Sequence, residues 1–95
     1  MKSEKPEAFY KKLKIQLEET SKWPSNYLYK FIVPTSTEKI NQINTVFDNI
    51  GAVIESRESK TGKYTSISIA VRLKNPDAVI EKYIKVGKIE GVISL

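Results

Sequence analysis

Few side chains in this sequence could do covalent or acid–base chemistry, and two of the most versatile are missing. Among the 95 residues there is no cysteine and no histidine. That excludes disulfides, zinc sites of the Cys/His type, and every nucleophile–base pair built on a thiolate or an imidazole. The remaining acid–base candidates are Asp48, Glu55, Glu58, Asp77 and Glu90. Asp77 is accounted for as a first-turn anion of a helix. Asp48 and Glu90 fall at positions that the local pattern turns toward water. Glu55 and Arg57 are expected beside Ser66 and Ser68 on a sheet, but charges alternating with hydroxyls are ordinary strand surface. With no base set against it, Ser66 is not a covalent nucleophile. The residues therefore predict a protein that is not an enzyme, with no catalytic residue, no cofactor and no metal.

The remaining polar residues must be positioned by secondary structure, and the strongest signal for that is the run Lys60–Leu73. Thr61-Gly62 reads as a two-residue hairpin turn. After it, Thr65, Ile67, Ile69, Val71 and Leu73 alternate with Tyr64, Ser66, Ser68, Ala70 and Arg72. A period of two with one apolar side is a strand with one face in a core and the other toward water. A two-residue loop pairs Lys60 with Lys63, Arg57 with Ser66 and Ile54 with Ile69. A slip by one residue would turn Glu55 and Arg57 inward, so this register is the expected one; a bulged three-residue turn is the alternative, and it would change the pairing at the tip.

The other elements follow in order. A helix is predicted from Pro6 to about Ser21, with Phe9, Leu13 and Leu17 on one stripe and Tyr10 beside them. Trp23-Pro24-Ser25-Asn26 ends it. Tyr27–Val33 is a strand apolar on both faces, which suggests a central position. Thr35 and Glu38 have the spacing of a capping box for a helix running to about Asn49. That helix has Ile40, Ile43, Phe47 and Ile50 on its buried stripe, Asn44 on its wet side, and Gly51 at its close. A strand covers Ala52–Ser59. Asn75 caps the last helix, Pro76 opens it, Val79, Ile80, Tyr83, Ile84 and Val86 face the core, and Gly87 closes it. A final strand is expected over Ile89–Leu95.

After the leading helix the order is strand, helix, strand, strand, helix, strand. That is the split βαβ arrangement: an α+β, ferredoxin-like βαββαβ sandwich with a four-stranded antiparallel sheet and two helices on one face. The domain reading is an N-terminal amphipathic helix over residues 1–22 and the sandwich over 23–95. The outer face of the sheet is expected to carry Leu28, Lys30, Ile32, Val53, Glu55, Arg57, Tyr64, Ser66, Ser68 and Ala70. Part of that face is apolar, so it needs a cover: the leading helix, a second subunit or a ligand.

Composition narrows the partners. The formal net charge is +5, but the excess is spread along the chain and only two of the sixteen basic residues are arginines. Arginine is the usual residue for bidentate phosphate and base contacts, so a solvated lysine-rich surface is the preferred reading over nucleic-acid binding. No run of about 18 apolar residues exists, so no membrane span is expected. The N-terminal residues are mixed in charge rather than export-like. The expected location is cytoplasmic.

Three pieces resemble a known small bacterial family. They are Trp23-Pro24-Ser25-Asn26-Tyr27-Leu28-Tyr29-Lys30 at the entry to the first strand, Ser59-Lys60-Thr61-Gly62-Lys63-Tyr64-Thr65-Ser66 at the hairpin, and Gly87-Lys88-Ile89 at the exit from the last helix. The chain resembles the YbeD-like family of uncharacterised proteins over about residues 23–95. The resemblance implies a ferredoxin-like fold related to ACT-type regulatory domains, with no assigned activity or catalytic residues. Trp23 stands where Phe is commoner in the family.

The functional expectation is a regulatory or interaction module that takes a small ligand or a protein partner, a homodimer included, on the sheet face and hairpin. The residues expected to form that surface are Lys30, Arg57, Ser59, Gly62, Tyr64, Ser66 and Ser68. The alternative is weak single-stranded RNA binding on the same face. An RNA-binding sheet needs two or three stacking rings, and here Tyr64 is followed by Ser66 and Ser68 where further rings would be wanted.

Overall fold

Strand propensity is highest where β-branched and aromatic residues cluster, and those two runs form the centre of the sheet. The computed structural model describes residues 6–94. Its elements are α1 (Pro6–Thr20), β1 (Ser25–Pro34), α2 (Thr37–Val46), β2 (Val53–Glu58), β3 (Tyr64–Leu73), α3 (Pro76–Gly87) and β4 (Ile93–Ser94). The sheet order is β2-β3-β1-β4, and every neighbouring pair is antiparallel. With helices on one face, this is the α+β ferredoxin-like arrangement that the element order predicts.

The inward faces of β1 and β3 make the core. Tyr29, Phe31 and Val33 from β1 meet Ile67, Ile69, Val71 and Leu73 from β3, Ile43 and Phe47 from α2 and its exit, and Val79 and Val86 from α3. Tyr29, Phe31, Phe47 and Tyr83 form an aromatic cluster with ring centroids between 4.9 and 6.5 Å apart. The Tyr29 hydroxyl donates to the Val79 carbonyl at 3.0 Å, so its burial leaves no orphaned polar group. Burial pushes the phenols of Tyr29 and Tyr83 well above the usual tyrosine range. Neighbouring tyrosines add to the shift, Tyr27 through its hydrogen bond to Tyr83 among them.

Several local expectations are corrected by contacts that act over long sequence distances. The N-cap of α2 is Ser36, whose Oγ accepts from the Lys39 N–H at 3.3 Å, and not Thr35 of a Thr35/Glu38 box. Thr35 is engaged elsewhere. Its hydroxyl bonds that of Thr65 at 2.9 Å, and its N–H donates to the Lys63 carbonyl at 2.9 Å. Helix α2 stops at Val46 rather than near Asn49, because the Lys82 ammonium from α3 takes the Val46 carbonyl at 3.0 Å. The chain then turns through Asn49 and Gly51, both at positive φ. Ile50 and Ile84, expected in the core, are exposed, and the Oδ1 of Asn44, expected wet, is buried.

The last strand is shorter than expected. Ile89 N–H donates to Val86 and continues the helical turn. Gly91 at φ +86° then brings the chain against Pro34, where a Cβ would lie 3.1 Å from the proline Cγ. Pairing with β1 begins only at Ile93; Leu95 and residues 1–5 lie outside the described residues.

Helix α1 packs on α3, on the helical side of the sheet. Leu17 and Trp23 reach the core, and the Trp23 indole N–H donates to the Leu17 carbonyl at 3.1 Å, closing the end of the helix. The Lys14 ammonium lies 3.0 Å from Asp77, and this hydrogen bond, with the attraction of the same carboxylate, raises its pKa. Gly87 is the last residue of α3, as expected, and it closes the helix without a left-handed turn. It is helical and faces Tyr10 of α1, whose hydroxyl would be an ordinary 3.6 Å from an added Cβ. Gly87→Ala is therefore expected to raise stability by about 0.5–1 kcal/mol through reduced freedom of the unfolded chain. Urea denaturation measures it, and a loss of stability would mean that α1 sits closer to α3 than 3.6 Å allows.

Candidate functional site

Since α1, α2 and α3 all lie on one side, the opposite face of the sheet is bare among the described residues. Strand alternation alone dictates its membership, because each strand sends every second side chain outward. Four large apolar residues are more than one-third exposed there or at its margin: Leu28 at 54%, Val53 at 63%, Tyr64 at 48% and Ile93 at 55%. None of the described elements covers them. The choice among leading helix, second subunit and ligand is thus narrowed, because the leading helix is occupied on α3.

The register resolves this face into rows that run across the strands. Val53, Ala70 and Leu28 are directly opposite one another on β2, β3 and β1. Glu55, Ser68 and Lys30 form the next row, and Arg57, Ser66, Ile32 and Ile93 the one after. The outward residues of β3 in these rows are all small, while those of β2 and β1 are long. A trough therefore runs along β3. Its hollows include one of about 600 Å³ lined by Glu55, Ser56, Arg57, Ser66 and Ser68. A smaller one adjoins the hairpin and is lined by Ile32, Arg57, Glu58, Ser59, Tyr64 and Ser66.

All seven residues singled out from the sequence lie on this face or at its hairpin. Arg57 pairs with Ser66, whose hydroxyl donates back to the Arg57 carbonyl at 3.3 Å. Lys30 stands across β3 from Glu55, with Ser68 between them. Ser59 and Tyr64 close the hairpin. The Ser59 N–H donates to the Tyr64 carbonyl at 2.7 Å, and the Ser59 hydroxyl accepts from the Tyr64 N–H at 3.2 Å. The tip is thus the four residues Lys60–Lys63 and not the two-residue loop expected, so Lys60 and Lys63 are no ladder pair. The register of the strands is unaffected, with Ile54 on Ile69 and Arg57 on Ser66 as predicted. Gly62 donates to the Ser59 carbonyl at 2.9 Å with φ +75°, a conformation that side chains rarely adopt.

The hydroxyl-rich loop after β1 contributes little to any site, because Thr35 and Ser36 are engaged with Thr65 and the start of α2. Of the acidic candidates, Asp77 is paired with Lys14 and Asp48 is exposed on the exit from α2. Among the described residues neither Glu55 nor Lys30 belongs to an ion pair. That pair is the feature the sequence reading missed. Lys30 and Glu55 become neighbours across one residue only once the register of β1 on β3 is known. Among the described residues, no group of three or more acidic side chains is placed to hold a metal ion, and no helix is long and apolar enough to cross a membrane.

The sequence matches the family described as a protein of unknown function, DUF493, over residues 18–95. No curated protein matches it. Among solved structures, it is similar to the solution structure of protein HP0495 from H. pylori, with a TM-score of 0.64 and 20% identity over 80% of this chain and 86% of that one. It is also similar to the ACT domain from the GTP pyrophosphokinase of Chlorobium tepidum, with a TM-score of 0.53 and 18% identity over 75% of this chain and all of that one. At these identities the likeness is one of fold.

Proposed function

The chain belongs to the DUF493 family of proteins of unknown function, and from that footing we propose that it is a non-enzymatic regulatory or interaction module working through the bare face of its sheet and the Ser59–Ser66 hairpin. The observation that carries this reading is the exposure of Leu28, Val53, Tyr64 and Ile93 on one side of a small protein whose helices all pack on the other. Large apolar side chains exposed together on one face, here on either side of the Glu55–Ser68–Lys30 row, favour a place where something binds. The fold shared with an ACT domain supports a regulatory role, although a fold by itself never settles function. The face offers hydroxyls at Ser66 and Ser68 and cations at Lys30 and Arg57, but no nucleophile set against a base, so recognition suits it better than turnover.

Single-stranded RNA is the weaker candidate for the same face. Tyr64 is its one outward ring near the hairpin, and serines occupy the next two outward positions of β3.

The test is an amide-shift titration of the labelled protein against metabolite pools and against short RNA. The expected result is movement at Arg57, Ser59, Tyr64, Ser66 and Ser68. Shifts confined to the outer surfaces of α2 and α3 would overturn the reading. An RNA response that falls steeply as salt rises would transfer the face to the phosphate-driven alternative.

A further inference from the structure

Resting on the reading of the bare face as the working surface, we propose that its occupant is a second copy of this chain, packed face to face about a two-fold axis running along β3.

The argument is one of charge and symmetry. A two-fold interface brings the same patch together with itself, so the patch must be its own complement. A two-fold axis along β3 exchanges the two flanks of that strand. It sets Glu55 over the partner's Lys30, Lys30 over the partner's Glu55, and Val53 over the partner's Leu28. The Glu55 row then meets opposite charge and the Val53 row meets apolar surface, while in the third row the Arg57 side chain lies along the partner's Ile32 near the hairpin end. The other in-plane axis, across the strands through Ser68, sets Glu55 over the partner's Glu55 and Lys30 over the partner's Lys30. Like charges brought together in an interface repel, so the first arrangement is favoured.

Three observations agree with it. Glu55 and Lys30 have no ion-pair partner among the described residues, and in the pair each gains one. Leu28 and Val53, among the most exposed of the large apolar residues, lie in the adjacent row and become covered. The banks of the trough stand above Ser66, Ser68 and Ala70. Bank therefore meets bank at the spacing of about 10 Å usual for stacked sheets, and the two troughs close into one hydroxyl-lined channel. Arg72 is the like-charge contact that remains on the axis. It lies beyond the last paired residue of β2, toward the rim, where the twist of two stacked sheets splays them apart.

Sedimentation of the full chain, with charge reversals at the two positions, tests this. The unmodified protein is expected to be a dimer. Glu55→Lys and Lys30→Glu, each alone, should raise the dimer dissociation constant at least ~tenfold. An equimolar mixture of the two single variants should restore the dimer, because both trans pairs are then of opposite sign; the doubly reversed chain should do the same. Both positions are exposed on strands, and circular dichroism checks that each variant is folded. An unmodified protein that stays monomeric across NMR concentrations overturns the second copy. The face keeps its role if the amide titration above still marks it. A dimer indifferent to both reversals also overturns the proposal, and it moves self-association off this face.

Discussion

Replacing Phe31 by alanine is expected to cost about 3–5 kcal/mol of folding stability, the range for emptying a buried phenylalanine site. Phe31 is fully buried, and its strand is bonded on both sides, to β3 and to β4. Its ring stacks on Tyr29 at 5.8 Å and lies 6.1 Å from Tyr83 and 6.5 Å from Phe47. Those rings are themselves fixed by the sheet and by α3, so they cannot collapse into the space left behind. A domain of this size has on the order of 5–15 kcal/mol in total, so the variant should lose a large part of it. Urea denaturation followed by circular dichroism measures the effect. Leu28→Ala, three residues earlier and on the opposite face, is the control. Its side chain is half exposed, and at low micromolar concentration its loss should move stability by no more than ~0.5 kcal/mol. Equal costs at the two positions would mean that both faces of β1 are buried alike, and a larger cost at Leu28 that the faces are reversed.

That contrast depends on a feature already legible in the sequence. In β3 one side is Ile67, Ile69 and Val71 and the other is Ser66, Ser68 and Ala70, so only one side can make a core. The hairpin register was fixed by the same reasoning, because a slip would have buried Glu55 and Arg57. The misses are of another kind. Thr35 and Ser36 are both chemically able to cap α2. The choice falls to Ser36 because Thr35 bonds Thr65, thirty residues away. The end of α2 is set by Lys82 from another helix, and the shortening of β4 by the approach of Gly91 to Pro34. None of these has a local signature. The places of the seven residues were legible because alternation puts the strand residues outward and the turn signal puts Gly62 at the hairpin tip. The opposition of Glu55 and Lys30 across Ser68 was not, since it needs the register of β1 on β3, which no turn between them sets. Nor could the stripe on α1 say which side of the sheet it would join. Leu17, Trp23 and the Lys14–Asp77 contact place it on the helical side.

Stability should hold steady up to about pH 10 and then fall as pH rises further, and the aromatic cluster is the reason. The hydroxyls of Tyr29 and Tyr83 sit among other rings, and burial holds both phenols protonated well past the point at which an exposed tyrosine ionises. Above pH 10 the unfolded chain has released these protons and the folded chain has kept them. The unfolded state then binds fewer protons, so the free energy of unfolding decreases with each further rise in pH. The slope approaches about 1.4 kcal/mol per pH unit for a phenol held fully protonated, and is less for Tyr83, which is only partly buried. The Lys14 ammonium acts in the same direction. Its raised pKa favours the folded state until pH passes that value, although contact with solvent screens the effect. Urea unfolding at steps between pH 7 and 11.5 reads the slope, and absorbance at 295 nm reads ionisation directly. Of the five tyrosines in the chain, Tyr29 and Tyr83 should ionise only as the protein unfolds. Tyr29→Phe should cost about 1 kcal/mol at neutral pH through the lost bond to the Val79 carbonyl, yet make the alkaline fall shallower by one titrating group. If all five phenols ionise near pH 10 while the far-ultraviolet spectrum stays native, the packing drawn around Tyr29 and Tyr83 is wrong. The face opposite them, whose exposure depends on that packing, would then need to be redrawn.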